Sequence, residues 1–83
     1  MANLETLRRL NEVFQEVFGD PEIAIFDAMT AKDVAGWDSL NHINLVVHVE
    51  KAFQIRFTTK EIMIFRNVGD FAAAIDRKLA ARP

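Results

Sequence analysis

The chain has 83 residues, of which 51% are hydrophobic and 27% charged, and this composition predicts one small globular domain over residues 1–83. Its length excludes most enzyme scaffolds, and its lack of cysteine excludes disulfides, thiolate zinc sites and cysteine nucleophiles. The net charge of −2 argues against a nucleic-acid partner. Because there is neither a membrane-spanning apolar run nor a signal-peptide core, we expect a cytoplasmic protein. We also expect it to be a monomer.

The first predicted helix begins after Asn3, a favoured N-cap residue. Its apolar residues recur at the spacing of one helical face: Leu4, Leu7, Leu10, Phe14, Val17 and Phe18. Gly19, followed by Asp20 and Pro21, predicts its end. Residues 20–37 then form a long acidic loop that still contains several large apolar side chains: Ile23, Ile25, Phe26, Met29 and Val34. A loop of this length and composition is expected to pack down over the helices.

The second predicted helix runs from Ser39 to Phe53. Its apolar residues form a wide face: Leu40, Ile43, Leu45, Val46, Val47, Val49, Ala52 and Phe53. Four side chains fall on the opposite side at 100° per residue, and we call them the polar strip: Asn41, Asn44, His48 and Lys51. His42 falls within the apolar arc and is expected to be a hydrogen-bonded core or near-surface residue.

Two shorter helices complete the predicted fold. Thr58 and Glu61 have the spacing of a capping box, which predicts a short third helix over about Thr59 to Phe65. Asn67 opens a fourth helix with an inward apolar stripe (Val68, Phe71, Ala72, Ile75 and Leu79) and a basic end (Arg77, Lys78 and Arg82). No segment is a convincing strand. The sequence therefore predicts an all-α four-helix bundle with a long first loop and a short third helix. The expected main core residues are Leu10, Phe14, Leu45, Val49, Phe53, Phe71 and Ile75.

The stretch from Gly36 to Leu40 places Ser39 at the start of a helix, directly after the long loop. Because a helix N-terminus favours anions, a phosphate attached to Ser39 would be stabilised there. The residues alone leave another interpretation open and favour it, namely that Asp38 or Ser39 simply caps the helix. Trp37 is expected to be a packing residue that closes the loop.

The segment Gly36-Trp37-Asp38-Ser39-Leu40, the apolar helix that ends in Glu50-Lys51-Ala52-Phe53, and the helix order resemble the acyl carrier proteins over essentially the whole chain. The resemblance implies a carrier and not an enzyme. In that family the serine of Asp-Ser-Leu, here Ser39, receives 4′-phosphopantetheine from coenzyme A through a separate phosphopantetheinyl transferase. The carrier then holds acyl groups as thioesters for acyl-loading and acyl-processing enzymes. The lack of cysteine is consistent with this, because the thiol would come with the prosthetic group.

The same resemblance implies roles for residues around Ser39. Asp38 matches the aspartate that takes part in recognition by the transferase. Leu40 and Ile43 resemble apolar positions that contact partner enzymes or the bound acyl chain, and Val47 and Ile62 are further candidates for partner recognition.

Two departures from the family suggest a specialised pathway of lipid or polyketide type. Acyl carrier proteins of fatty-acid synthesis look strongly acidic along the second helix, whereas here the polar strip has no acid and Glu50 is the only one in the helix. Residues 62–65 are apolar on every side, so the third helix is either fully buried or an apolar partner patch. The cations Lys51, Arg56, Lys60 and Arg66 form either a basic patch or, more simply, a solvated face. His48 is expected to be solvated, and neither histidine has the neighbours for a metal site.

Three other functions compete with this one. A carrier of aminoacyl or peptidyl groups and a helical interaction module without a prosthetic group remain open. A Gly-Asp-Ser-Leu hydrolase is disfavoured, because Trp37 interrupts that tetrapeptide and the catalytic triad needs a larger scaffold.

Overall fold

Four α-helices form the structure, a computed structural model that describes residues 3–81. They are α1 (Leu4–Phe18), α2 (Ser39–Phe53), α3 (Thr59–Ile64) and α4 (Val68–Ala80). No strand occurs within residues 3–81. The predicted all-α four-helix architecture, with its long first loop and short third helix, is therefore confirmed. Arg82, which was expected at the basic end of the fourth helix, lies outside the described residues.

The predicted caps account for most helix boundaries. The side chains of Asn3, Thr58 and Asn67 each accept a hydrogen bond from a backbone N–H in the following helix. Gly19 ends α1 with a φ of 63°, a left-handed conformation that glycine adopts without steric cost. One boundary differs from the prediction. α3 ends at Ile64, because Phe65 has an extended backbone and its ring stacks on α4.

The core forms where α1 packs against both α2 and α4. All the predicted core residues are buried: Leu10, Phe14, Leu45, Val49, Phe53, Phe71 and Ile75. The wide apolar face expected on α2 is divided, since Leu40, Ile43 and Val47 are exposed. In so small a bundle a helix has packing partners on one side only, so apolar residues outside that arc stay at the surface.

The first loop packs over the helices, as its apolar residues predict. Met29 and Val34 are buried, and Ile25 is half-buried. The side chain of Asn11 in α1 accepts a hydrogen bond from the backbone N–H of Ile25 at 2.9 Å. Phe26 is the exception and remains exposed. The loop is thus joined to α1 by both packing and a specific polar contact.

The same loop is also joined to the start of α4. The carbonyl of Met29 accepts from the N–H of Val68 at 2.9 Å, and the carbonyl of Asp27 accepts from the N–H of Gly69 at 2.8 Å. N–H groups in the first turn of a helix have no intrahelical acceptor, so the loop satisfies them. A Cβ on Gly69 would lie 3.0 Å from the Asp27 oxygen, which is why this contact favours glycine. The loop therefore arrives at Ser39 along a fixed path.

Candidate functional site

Asp38, and not Ser39, caps α2. The Asp38 carboxylate accepts a hydrogen bond from the backbone N–H of Asn41 at 2.9 Å. Ser39 is the first residue of the helix, its side chain is exposed, and its hydroxyl has no hydrogen-bond partner within residues 3–81. Asp38 is thus the residue that caps the helix, whereas attachment of a phosphate to Ser39 stays a prediction. Since the cap is supplied by its neighbour, the serine hydroxyl is free to react.

The backbone around Ser39 suits an attached phosphate. The N–H groups of Ser39 and Leu40 belong to the first turn of α2, and neither has an acceptor in the described part of the chain. These groups and the dipole of a 15-residue helix favour negative charge at this end. A phosphodiester on the Ser39 oxygen therefore fits the donors that this helix end presents.

A groove of about 580 Å³ opens beside Ser39. The loop contributes Ala31, Trp37 and Asp38, and α2 contributes Ser39, His42 and Ile43. α3 and the turn after it form the opposite side, and Phe71 of α4 completes the lining. Its lining residues are Ala31, Trp37, Asp38, Ser39, His42, Ile43, Ile62, Met63, Phe65, Arg66, Asn67 and Phe71. Most of these side chains are apolar, so the groove can hold an apolar chain whose end lies near Ser39.

Trp37 packs as the sequence predicts. Its ring meets the buried Phe14 edge to face, with centroids 5.2 Å apart and an interplanar angle of 84°. On its other side it stacks on His42, with centroids 6.1 Å apart. The half-buried indole thus closes the loop against α1 and forms part of the groove at the same time.

α3 is held at its start by the predicted capping box. Thr58 and Glu61 exchange hydrogen bonds between side chain and backbone, and the Glu61 carboxylate lies 3.0 Å from the Lys78 ammonium of α4. A hydrogen bond from the backbone N–H of Thr58 and, next, one from the Lys78 ammonium lower the pKa of Glu61 from its ordinary value of 4.5. The negative form of Glu61 is therefore the one that joins α3 to α4.

The predicted partner residues do not all lie together. Asp38, Ile43 and Ile62 line the groove with Ser39, whereas Leu40 and Val47 lie outside it. Leu40 is nevertheless 72% exposed and Val47 is 40% exposed. Exposed apolar side chains on α2 thus extend beyond the groove, from Leu40 next to Ser39 as far as Val47.

The alternative of a fully buried third helix is wrong. No residue of α3 is buried, and Met63 and Ile64 are 78% and 59% exposed. A helix of six residues is too short to place every side chain against the bundle, so part of its apolar surface faces solvent. Exposed apolar area of this kind is a feature of interaction surfaces.

The polar strip lies on the outside of α2, with one difference from the prediction. Asn44, His48 and Lys51 are exposed, but Asn41 is half-buried because its side-chain amide donates to the Gly36 carbonyl at 2.6 Å. The four cations near α2 and α3 do not share one groove. Arg66 lines the groove beside Ser39, whereas Lys51 and Arg56 line a separate hollow next to Val47.

Neither histidine lies in a metal-binding cluster of the described residues. His48 is exposed, and its Nδ1 lies 2.8 Å from the carbonyl oxygen of Asn44. His42 is half-buried and hydrogen-bonded, as expected, but its partners could not be read from the sequence. The sequence also could not show that Ala31 and Arg66 line the groove, because their place depends on how the loop and the α3–α4 turn approach α2.

Within residues 3–81, no helix has the length and apolar character needed to cross a membrane.

The chain is similar to a known protein family and to a solved structure. The family model described as a phosphopantetheine attachment site matches residues 8–75. The chain is also similar to the solution NMR structure of a holo acyl carrier protein from Geobacter metallireducens, with 40% sequence identity and a TM-score of 0.86. That similarity covers 93% of this chain and 88% of the other. Both matches extend over the helices that surround Ser39.

Proposed function

This chain belongs to the acyl carrier protein family and carries a 4′-phosphopantetheine arm, and we propose that the arm is attached to the hydroxyl of Ser39. The observation that carries the assignment is the division of labour at the start of α2. Asp38 satisfies the helix cap, so Ser39 is left exposed at an anion-favouring helix end, and its hydroxyl has no partner in the part of the chain that the structure describes. When bound, the prosthetic group supplies the thiol that holds an acyl group as a thioester.

The residues around Ser39 have three roles in this proposal. The exposed position of Ser39 gives a phosphopantetheinyl transferase access to the oxygen, and the Asp38 carboxylate takes part in recognition by that enzyme. The backbone N–H groups of Ser39 and Leu40 stabilise the phosphodiester. The protein itself breaks no bond in the cargo. It is a carrier that presents acyl groups to acyl-loading and acyl-processing enzymes.

The groove supports an acyl cargo over an aminoacyl or peptidyl one. Its lining is mainly apolar, with Ile43, Ile62 and Phe71 among its side chains, although Asp38 and Arg66 also belong to it. A hydrocarbon chain is the cargo whose transfer out of water such a surface favours.

We further propose that the pathway is specialised and distinct from bulk fatty-acid synthesis. The exposed part of the polar strip, Asn44, His48 and Lys51, has no acidic side chain with which to attract a basic partner enzyme. Exposed apolar residues lie on both sides of the groove instead: Leu40, Ile43, Val47, Met63 and Ile64. We expect partner enzymes to recognise this apolar surface.

The attachment site is tested by intact mass after incubation with coenzyme A and a broad-specificity phosphopantetheinyl transferase. The protein is expected to gain one phosphopantetheinyl group, and Ser39→Ala is expected to gain none while its helical circular dichroism is unchanged. Thr59→Ala is the matched control, because Thr59 is also an exposed hydroxyl at the first position of a helix. A mass gain in Ser39→Ala would contradict the assignment.

A further inference from the structure

His42 connects the loop before α2 to α3. The indole N–H of Trp37 donates to His42 Nδ1 at 3.1 Å, and His42 Nε2 lies 3.2 Å from the carbonyl oxygen of Ile62. The imidazole also stacks on Trp37 and lies 6.5 Å, centroid to centroid, from Phe71. All four of these residues line the groove beside Ser39.

The partners determine which imidazole nitrogen carries the proton. An indole nitrogen is a donor only, so Nδ1 must accept from Trp37. Nε2 then carries the hydrogen and donates to the Ile62 carbonyl, which can only accept. A single neutral tautomer therefore satisfies both contacts. His42 bridges the Trp37 indole N–H on one side of the groove and the Ile62 carbonyl on the other.

α3 depends on this contact at its C-terminal end. The Ile62 carbonyl is among the last four of the helix, which have no intrahelical donor. α3 also ends without a backbone N–H capping it, and none of its residues is buried. Its start is fixed by the capping box and by Lys78, whereas a polar contact from α2 to its C-terminal half is made by His42.

We propose that His42 is a positioning residue that holds Trp37 and α3 as opposite sides of the groove beside Ser39, and so keeps the groove ready to receive an acyl chain. The proposal rests on the proposed function, because the acyl chain would be carried on the arm at Ser39. Loss of the Ile62 contact would free α3 and leave the thioester more accessible to water.

Two substitutions separate the two hydrogen bonds. In His42→Gln the side-chain amide reaches approximately the place of Nε2, so it can still donate to Ile62 but leaves the Trp37 indole without its acceptor. In His42→Asn the amide reaches approximately the place of Nδ1, so the Trp37 bond can remain while the Ile62 bond is lost.

The first measurement uses the unloaded protein. Nitrogen-15 NMR of the histidine rings is expected to show His42 protonated at Nε2 alone, with a coupling across the hydrogen bond to the Trp37 indole nitrogen. The indole N–H resonance is expected to shift in His42→Gln and to stay close to its wild-type position in His42→Asn. A wild-type His42 protonated at Nδ1 would overturn the proposal, whichever variants fold.

The second measurement follows hydroxylamine cleavage of an octanoyl thioester loaded through octanoyl coenzyme A and the transferase, with an acetyl thioester as the short-chain control. His42→Asn is expected to speed octanoyl cleavage about fivefold, the factor that one net hydrogen bond contributes to an equilibrium, with little change for acetyl. His42→Gln keeps the donor to Ile62 and is expected to speed octanoyl cleavage less than His42→Asn does. Equal octanoyl rates in wild type and both variants would overturn the proposal.

Failure of the proposed function and failure of the role of His42 give different results. If intact mass shows no loading on any of the proteins, the proposed function is wrong, while the NMR measurement on the unloaded protein still decides whether His42 joins Trp37 to Ile62. If loading succeeds and the octanoyl thioester is equally exposed in wild type and His42→Asn, the attachment stands and the role of His42 is wrong.

Discussion

The carboxylate of Asp38 accepts a hydrogen bond from the backbone N–H of Asn41 at 2.9 Å, three residues further along α2. In the same turn the side-chain amide of Asn41 donates to the Gly36 carbonyl at 2.6 Å. The two contacts fasten the end of the loop to the first turn of the helix. Ser39 lies between them and takes part in neither, so its backbone is held in place while its hydroxyl has no hydrogen-bond partner among the described residues.

Asp38 is expected to have separable roles in folding and in recognition. Asp38→Ala removes the cap and should lower the free energy of unfolding by about 1 kcal/mol. Asp38→Asn keeps a capping oxygen and should cost far less. If the negative charge is what the transferase recognises, both variants should be modified more slowly than wild type. Denaturation midpoints and initial rates of phosphopantetheinylation distinguish the two roles. A wild-type rate in Asp38→Asn would show that the charge is not recognised.

Partner choice is expected to change with the charge of the polar strip. Asn44→Glu combined with Lys51→Glu should make the holo-protein a better substrate for elongating enzymes of ordinary fatty-acid synthesis, most visibly at low salt, because exposed charges are screened. Asn41 is left unchanged, since its amide holds Gly36. The assay compares loading and elongation with those of a typical acidic carrier.

The control for that experiment is Arg77→Glu combined with Ala80→Glu, which makes the same change in net charge on exposed positions of α4. We expect it to leave elongation unchanged. If the unmodified protein is elongated as fast as the typical acidic carrier, the polar strip does not set partner choice and the specialised pathway is wrong.

Phe53 is expected to be a major contributor to stability. Its ring is 2% exposed, and the Arg9 guanidinium lies over it, 4.3 Å from the ring centroid. Phe53→Ala should lower the free energy of unfolding by roughly 3–5 kcal/mol, because it removes buried area and leaves a cavity. Met63→Ala truncates an exposed side chain and should change stability by no more than about 0.5 kcal/mol. Chemical denaturation of both variants tests this, and equal midpoints would show that the core is misassigned.

The stability of α3 is expected to fall at acidic pH. Because the folded protein lowers the pKa of Glu61, this group contributes stability above its unfolded pKa, and the contribution is lost as the pH falls through the lower, folded value. The protection factors of the amides of residues 59–64, which correct exchange rates for the intrinsic effect of pH, should therefore fall on acidification to about pH 3 more than those of α1. In Glu61→Gln these protection factors should be lower at neutral pH and respond less to acid. An identical acid response in Glu61→Gln would assign the effect to other carboxylates.

The fold could be predicted closely because its determinants are local. The spacing of Leu10 and Phe14, the glycine at position 19 and the capping pair Thr58 and Glu61 each act within a few residues of the chain. Helix order and boundaries followed from such signals, apart from the end of α3. There Phe65 leaves the helix and its ring stacks on that of Phe71 in α4. This contact between helices cannot be predicted from the residues next to Phe65 in the chain.

By itself the sequence determined the four helices, their caps, most of the core and the resemblance that singled out Ser39. The tertiary structure decided that Ile62 and Met63 face Ser39 across a groove and that His42 joins the two sides. The physical reason is distance along the chain. Capping and helical periodicity involve neighbouring residues, whereas a groove and a hydrogen bond from α2 to α3 exist only once separate segments have packed, and their atoms meet through the whole fold.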